Sequence, residues 1–186
     1  IMYASTFNND SQIYVSSDTG QSFVQSGSIP GNNSNIQLSV SAACENCVFV
    51  GSSDGVWKSD NIADTFTLLG NPNIANYGAF AVSDTDENYM LFGDIDTHMS
   101  NDGGQTWNQV TYWATGNANY DTTGQYVHAD IRGSRSYNGV FWVNTDGLLG
   151  KSVDNGITWE IFEGQSIREN YCLGVSQSNH FRTITG

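Results

Sequence analysis

Only six of the 186 residues are Lys or Arg, against 19 Asp or Glu, which leaves a formal net charge of −13. Gripping a phosphate backbone requires a Lys/Arg surface, so a nucleic-acid partner is excluded. The acidity reads as a solubility device of an exported protein rather than as a dedicated cation surface. Proline occurs twice, and no apolar run is long enough to span a bilayer, which excludes membrane insertion by a helix. No stretch carries a helical apolar period of useful length. The start, Ile1-Met2-Tyr3-Ala4-Ser5, has neither a charged leader nor an apolar signal core and already looks like a strand, so the chain is expected to begin in mid-fold. Cysteine is scarce too, with Cys44, Cys47 and Cys172 the whole complement. A redox or zinc reading of Cys44-Glu45-Asn46-Cys47 wants a helix start or a second such pair, and neither is visible. The expectation is a disulfide between Cys44 and Cys47 that staples a turn, with Cys172 lacking a mate, and no metal or cofactor.

What the chain has in quantity is Gly, 20 residues of it, with abundant Ser, Asn, Thr and aromatics, at 38% hydrophobic and 13% charged. That balance suits short strands joined by tight turns. One eight-residue phrase recurs: Ser16 to Phe23, Ser59 to Phe66, Ser100 to Trp107 and Ser152 to Trp159, at spacings of 43, 41 and 52 residues. Its third residue (Asp18, Asn61, Asp102, Asp154) can fold its side chain onto nearby backbone amides. Its fifth (Gly20, Gly104, Gly156) supplies a positive φ. Ser16 and its counterparts add a hydroxyl, and Phe23, Phe66, Trp107 and Trp159 plug the next strand. The phrase reads as strand, braced turn, strand.

The pattern Ser-x-Asp-x-Gly-x-Thr-Trp resembles the Asp-box, or bacterial neuraminidase repeat, found in sialidases, sortilin-type receptors and xyloglucan hydrolases. Two copies match fully, Ser22 and Phe23 are conservative changes in another, and Asn61 and Ala63 replace the Asp and Gly of the fourth. The resemblance implies an all-β fold, a β-propeller of four-stranded antiparallel blades. It also implies that the boxes sit on the outer rim, away from the central site, with their Asp consumed in turn bonds. Residues 126–130, 144–148 and 171–177 are further similar to secreted Asp-box propellers of Bacteroidota, labelled sortilin-like or glycosyl hydrolase-like and exported by type IX secretion.

Short apolar strands before each phrase sort the chain into a partial blade over about 1–30, blades over about 34–70, 76–111 and 126–163, and a partial blade over about 170–186. That count predicts part of a longer ring, so the rest of its own chain is a first partner. The innermost strands are expected at Ile36 to Val40, Ala79 to Ser83, Val127 to Ile131 and Cys172 to Ser176. The longest spacing places an insertion at Tyr112 to Gln125.

Period-two geometry would set His128, Asp130 and Arg132 on one channel-facing side of the fourth innermost strand. They are the candidate ligand-binding residues, with Asp130 orienting His128. Tyr112, Trp113 and Tyr120 of the insertion join them as aromatics suited to a sugar ring or a protein. Asp130, His128 and Asp146 are the catalytic candidates if the protein is a glycoside hydrolase. Asp94-Ile95-Asp96 reads as a solvated turn rather than half a Ca²⁺ site. A sialidase would show an Arg triad and an Arg-Ile-Pro motif, but the chain has only Arg132, Arg135, Arg168 and Arg182 and no such motif. The preferred function is a secreted or cell-surface module that binds a glycan or protein. The alternative is a xyloglucanase- or sialidase-like glycoside hydrolase.

Overall fold

The computed structural model describes residues 1–6, 9–32, 35–74, 78–115, 123–162, 173–175 and 183–185. Apart from one 3-10 turn, Trp113–Thr115, every regular element among them is a strand. The first sheet has three strands, β1 (Met2–Ser5), β2 (Asn9–Ser16) and β3 (Val24–Asn32). A four-stranded sheet follows, made of β4 (Gln37–Ser39), β5 (Val48–Ser52), β6 (Gly55–Ser59) and β7 (Thr67–Gly70). The next holds β8 (Ala79–Val82), β9 (Met90–Gly93), β10 (Thr97–Ser100) and β11 (Asn108–Gln109). The last of this kind holds β12 (Ile131–Tyr137), β13 (Val140–Thr145), β14 (Leu149–Ser152) and β15 (Glu160–Phe162). A two-stranded pair, β16 (Leu173–Val175) and β17 (Thr183–Thr185), ends the described chain. All neighbours are antiparallel, in up-and-down order.

Each phrase joins the third and fourth strands of its sheet, or β2 and β3 of the first, and all four fold as one turn. The opening Ser hydroxyl donates to the third residue's side chain and accepts the fifth residue's amide: Ser152 Oγ to Asp154 Oδ1 is 2.8 Å and Gly156 N to Ser152 Oγ is 2.7 Å. The carboxylate then takes both the amide and the hydroxyl of the seventh residue, Thr158, at 2.9 and 2.6 Å. Asp102 repeats this with Thr106, and Asp18 with Ser22. In the altered copy Asn61 Oδ1 still accepts the Thr65 amide at 3.0 Å, while Asn61 Nδ2 donates to Thr65 Oγ1 at 2.9 Å. Fourth and fifth positions are both left-handed, including Ile62 and Ala63 at φ 57° and 64°.

The sheets bury their faces against one another. One cluster combines Ile13 and Ile29 of the first sheet with Val48, Val50 and Ala63 of the second, with Phe66 packed on it. Another joins Phe49 and Val56 to Phe80, Val82, Met90 and Phe92, flanked by Trp107. A third joins Ala81, Leu91 and Met99 to Ile131, Phe141, Val143 and Trp159. Of the aromatics that end the phrases, Phe66, Trp107 and Trp159 thus pack between sheets, whereas Phe23 is 41% exposed. The first strands meet at a shared inner edge, β4 against β8 and β8 against β12. Hydrogen bonds cross there, Val82 N to Ser39 Oγ at 3.0 Å and Ser41 Oγ to Ser83 O at 2.6 Å.

One element differs from the sequence expectation. The innermost strand of the last four-stranded sheet runs over Ile131–Tyr137, not over Val127 to Ile131. Asp130 is in the left-handed region at φ 63°, which breaks any strand before it. Asn138 and Gly139, both at positive φ, form the two-residue hairpin that fixes the register from Tyr137↔Val140 onward. The Asn-Gly signal overrides the alternation read upstream. His128, Asp130 and Arg132 therefore do not share one face of a strand.

Candidate functional site

Antiparallel order sorts the connections into two ends. First-to-second turns and the four phrases lie at one end, while second-to-third turns and the connections between sheets lie at the other. Cys44, Cys47, Asp84, Glu87 and the residues of the four braced turns belong to the first end. Asp94 to Asp96, Tyr112, Trp113, His128, Asp130 and Asp146 belong to the second.

At the second end Arg132 is the hub. Its Nε and Nη2 grip Asp146 Oδ1 and Oδ2 at 2.6 and 2.9 Å, a two-pronged charge-assisted pair. Its Nη2 also lies 3.6 Å from Asp130 Oδ2. The Arg132 hydrogen bond holds the Asp146 carboxyl below the ordinary carboxylate range. His128 stands alongside, its ring against Gly147, but Nδ1 faces Ala129 O at 3.1 Å rather than Asp130, so Asp130 does not orient that nitrogen. Sequence reasoning thus named four residues that do converge, His128, Asp130, Arg132 and Asp146, though by a loop and a turn rather than by one strand face.

The neighbouring sheet contributes through Asp94 to Asp96. Asp130 N donates to Ile95 O at 3.1 Å and Ile131 N to Asp94 O at 2.7 Å, which locks that turn to the Arg132 cluster. Asp96 is no solvated turn residue. Half-buried, it accepts the Trp113 amide at 2.8 Å, the Thr111 hydroxyl at 3.3 Å and Gln109 Nε2 at 3.0 Å. Burial raises its carboxyl above the ordinary value, against those hydrogen bonds. His98 lies beside it, its imidazole pushed down by burial despite Asp94 and Asp96. Asp94 Oδ1 is buried and accepts no protein hydrogen bond among the described residues. The signal that could have found Asp96 is positional: Asp54, Asp96 and Asp146 all occupy second-to-third turns.

Asp96 in turn presents aromatics. Its bond to Trp113 N pins the 3-10 turn, leaving Trp113 48% and Tyr112 40% exposed. Tyr112 N donates to Gln125 O at 3.1 Å, closing the base of the insertion. Tyr120 lies outside the described residues, as do Cys172, Arg168 and Arg182.

A cleft of about 400 Å³ opens elsewhere, along β4, β8 and β12 toward the phrase end, between Leu38, Phe80, Asp84, Ser134, Arg135 and Tyr137. None of the predicted site residues lines it. Asp18, Asp102 and Asp154 are spent on their turns. Thr106 hydrogen bonds draw the Asp102 carboxyl down to about 2, and Asp18 is lowered likewise by Ser22.

No protein-family profile and no curated protein sequence matches the chain. Solved structures do match in shape. An ancestral GH74 enzyme superposes with a TM-score of 0.57 at 16% identity, over 94% of this chain and 26% of that one. A Niastella koreensis GH74 enzyme gives 0.59 at 19% identity, over 98% and 31%. YCF48 bound to D1 peptide gives 0.57 at 9% identity, over 94% and 56%. The fold is a β-propeller. The four-stranded sheets are its blades, and the chain spans about a quarter to just over half of the length of these propellers. No helix among the described residues is long and apolar enough to cross a membrane.

Proposed function

We propose that this propeller is a binding module that works outside the cell and holds a glycan or protein partner at the blade end opposite the braced turns. The observation that carries the reading is the Arg132 cluster, clamped by Asp146 and Asp130 and joined through the Asp94 to Asp96 turn to the segment that carries the exposed rings of Tyr112 and Trp113. A guanidinium held rigid by two carboxylates offers directed donors with little entropy left to lose. Exposed rings supply stacking area for a sugar or a peptide side chain.

A glycoside hydrolase is the second reading, since GH74 enzymes share the fold, but so does the peptide-bound YCF48 propeller. Hydrolysis needs one carboxyl kept protonated and a second set about 5–10 Å away across the substrate. Asp130 and Asp146 instead bracket one guanidinium, and Asp146 is held ionised. That arrangement favours binding.

The test is a glycan array that includes xyloglucan oligosaccharides, run beside a peptide panel, with wild type, Trp113→Ala and Arg132→Ala verified as folded by circular dichroism. The reading expects a ligand whose affinity falls about tenfold or more in both variants, and no release of reducing sugar. Affinity unchanged in both variants refutes the site. Sugar release abolished by Asp130→Asn would establish the hydrolase instead.

A further inference from the structure

The turns that join first to second strands in the four-stranded blades are each held differently. The β4–β5 turn is stapled to itself by the Cys44–Cys47 disulfide. The β8–β9 turn spends its Asp84 on the next blade, and the β12–β13 turn, Asn138-Gly139, is what Asp84 holds. Asp84 Oδ2 accepts Asn138 N at 2.6 Å, and Oδ1 accepts Gly139 N at 2.9 Å and Ser136 Oγ at 2.8 Å. Ser136 Oγ accepts Asp84 N in return at 3.2 Å. A Cβ added at Gly139 would come 3.1 Å from Thr85 Oγ1, so the two turns lie directly against each other. Asn138 itself is exposed.

Asn-Gly is also the least inert dipeptide in a chain. With no Gly side chain to hinder it, the Gly nitrogen can attack the Asn side-chain carbonyl carbon. The sequence has two such pairs, Asn138-Gly139 and Asn155-Gly156. We propose that Asn138 is a self-modification site, deamidated through a succinimide whenever the Asp84 clamp opens, and that the conversion makes loosening of this blade boundary permanent.

In the clamped turn the reaction is barred. Gly139 N–H donates to Asp84, and the left-handed hairpin, φ 51° at Asn138 and 74° at Gly139, holds that nitrogen in the turn rather than over Asn138 Cγ. Once the clamp opens, Gly139 N loses its proton to solvent and bonds to Asn138 Cγ. The bond from Cγ to the side-chain nitrogen breaks, and ammonia leaves. Water then opens the five-membered ring at one of its two carbonyls, to give aspartate on the original backbone or isoaspartate with the backbone routed through the side chain. The sum is one water consumed and one ammonia released. Isoaspartate adds an atom to the path of a two-residue turn, so its amides no longer meet both oxygens of Asp84. Aspartate adds a negative charge to the turn that a carboxylate must hold. Both products oppose reclosure.

The source of the restraint singles out Asn138. Gly156 is buried, and its amide is held at 2.7 Å by Ser152 Oγ, four residues away in the same braced turn. Asn138 instead depends on a carboxylate 54 residues away in another sheet. Parting of two blades therefore releases Asn138, whereas Asn155 waits for its own turn to unfold.

The experiment incubates the whole chain at mildly alkaline pH and follows both sites by peptide mapping with mass spectrometry, with isoaspartate read by methyltransferase labelling. Asn138 should convert ahead of Asn155. Asp84→Ala, shown folded by circular dichroism, should raise the Asn138 rate about fivefold or more by enlarging the open population, and leave Asn155 unchanged. Hydrogen exchange of the Gly139 amide should rise by the same factor. Asp84→Asn keeps an acceptor without the charge; its rate should fall between those two, and it serves if the alanine variant does not fold. Asn155 converting first, an Asn138 rate indifferent to both Asp84 variants, or acceleration of both sites alike would each overturn the proposal. So would a modified chain whose Gly139 amide exchanges as slowly as before.

Discussion

The carboxylate of Asp84 accepts the amide of Gly139 across a blade boundary, Oδ1 to N at 2.9 Å. The same carboxylate takes Asn138 N at 2.6 Å and Ser136 Oγ at 2.8 Å, so one side chain caps the hairpin that sets the register of β12 and β13. Asp84→Ala is expected to cost about 1–2 kcal/mol, toward the lower part of the range for orphaned donors because water reaches the turn. Urea unfolding of both proteins checks it. Unchanged stability would mean that the Asn-Gly turn holds itself.

The fifth position of the braced turn separates blades by what lies behind it. A Cβ added at Gly156 would come 2.6 Å from Met99 Cγ, while one at Gly104 would come no nearer than 3.2 Å to Met90 Sδ and 3.4 Å to Leu69 Cβ. Both pay the left-handed penalty. Gly156→Ala is therefore expected to destabilise more than Gly104→Ala, by about 1 kcal/mol or more for the added overpacking. Equal losses in a denaturant series would refute the difference.

Ile62 holds a left-handed conformation, φ 57°, where a β-branched side chain is strained. Ile62→Asn is expected to stabilise by about 1 kcal/mol, since Asn tolerates that region. A lower thermal midpoint would show that the isoleucine's packing outweighs its strain.

Asp102 titrates at about 2 in the folded chain, against about 3.9 for an unfolded Asp. Between those values the unfolded chain binds a proton that the folded chain does not. The stabilisation from this carboxylate is thus present above about pH 4 and lost as pH falls through about 2. Asn61 shows that an amide can hold the same turn. Asp102→Asn should keep the fold and flatten the acid limb of a stability-against-pH curve. The group is exposed, so the difference should be small and shrink with salt. An unaltered acid limb at low salt would refute it.

Arg132→Ala removes the partner that holds Asp146 low. The Asp146 carboxyl should then move up toward the ordinary range, as read from its side-chain carbon shifts in an NMR titration. A titration midpoint that stays put would mean that Arg132 is not what ionises it.

The braced turns were legible because every bond that shapes them closes within eight residues: Asp154 reaches Thr158, Ser152 reaches Gly156, and the altered copy substitutes an amide without changing the path. Repetition of that local chemistry also implied four-stranded blades. Other features depend on residues brought together from far along the chain. Asp130 breaks the alternation that suggested a strand at His128, and Asn138-Gly139 chooses another register. The Asp94 to Asp96 turn meets Asp130 only after two blades pack, and Asp96 then fixes Trp113. Glu87 reaches Cys44 and Cys47 from a separate sheet. Local hydrogen bonding is encoded by spacing, and the sequence determined it alone. The convergence of loops follows from how hydrophobic sheet faces stack, and no spacing along one strand records where that stacking brings two distant turns together.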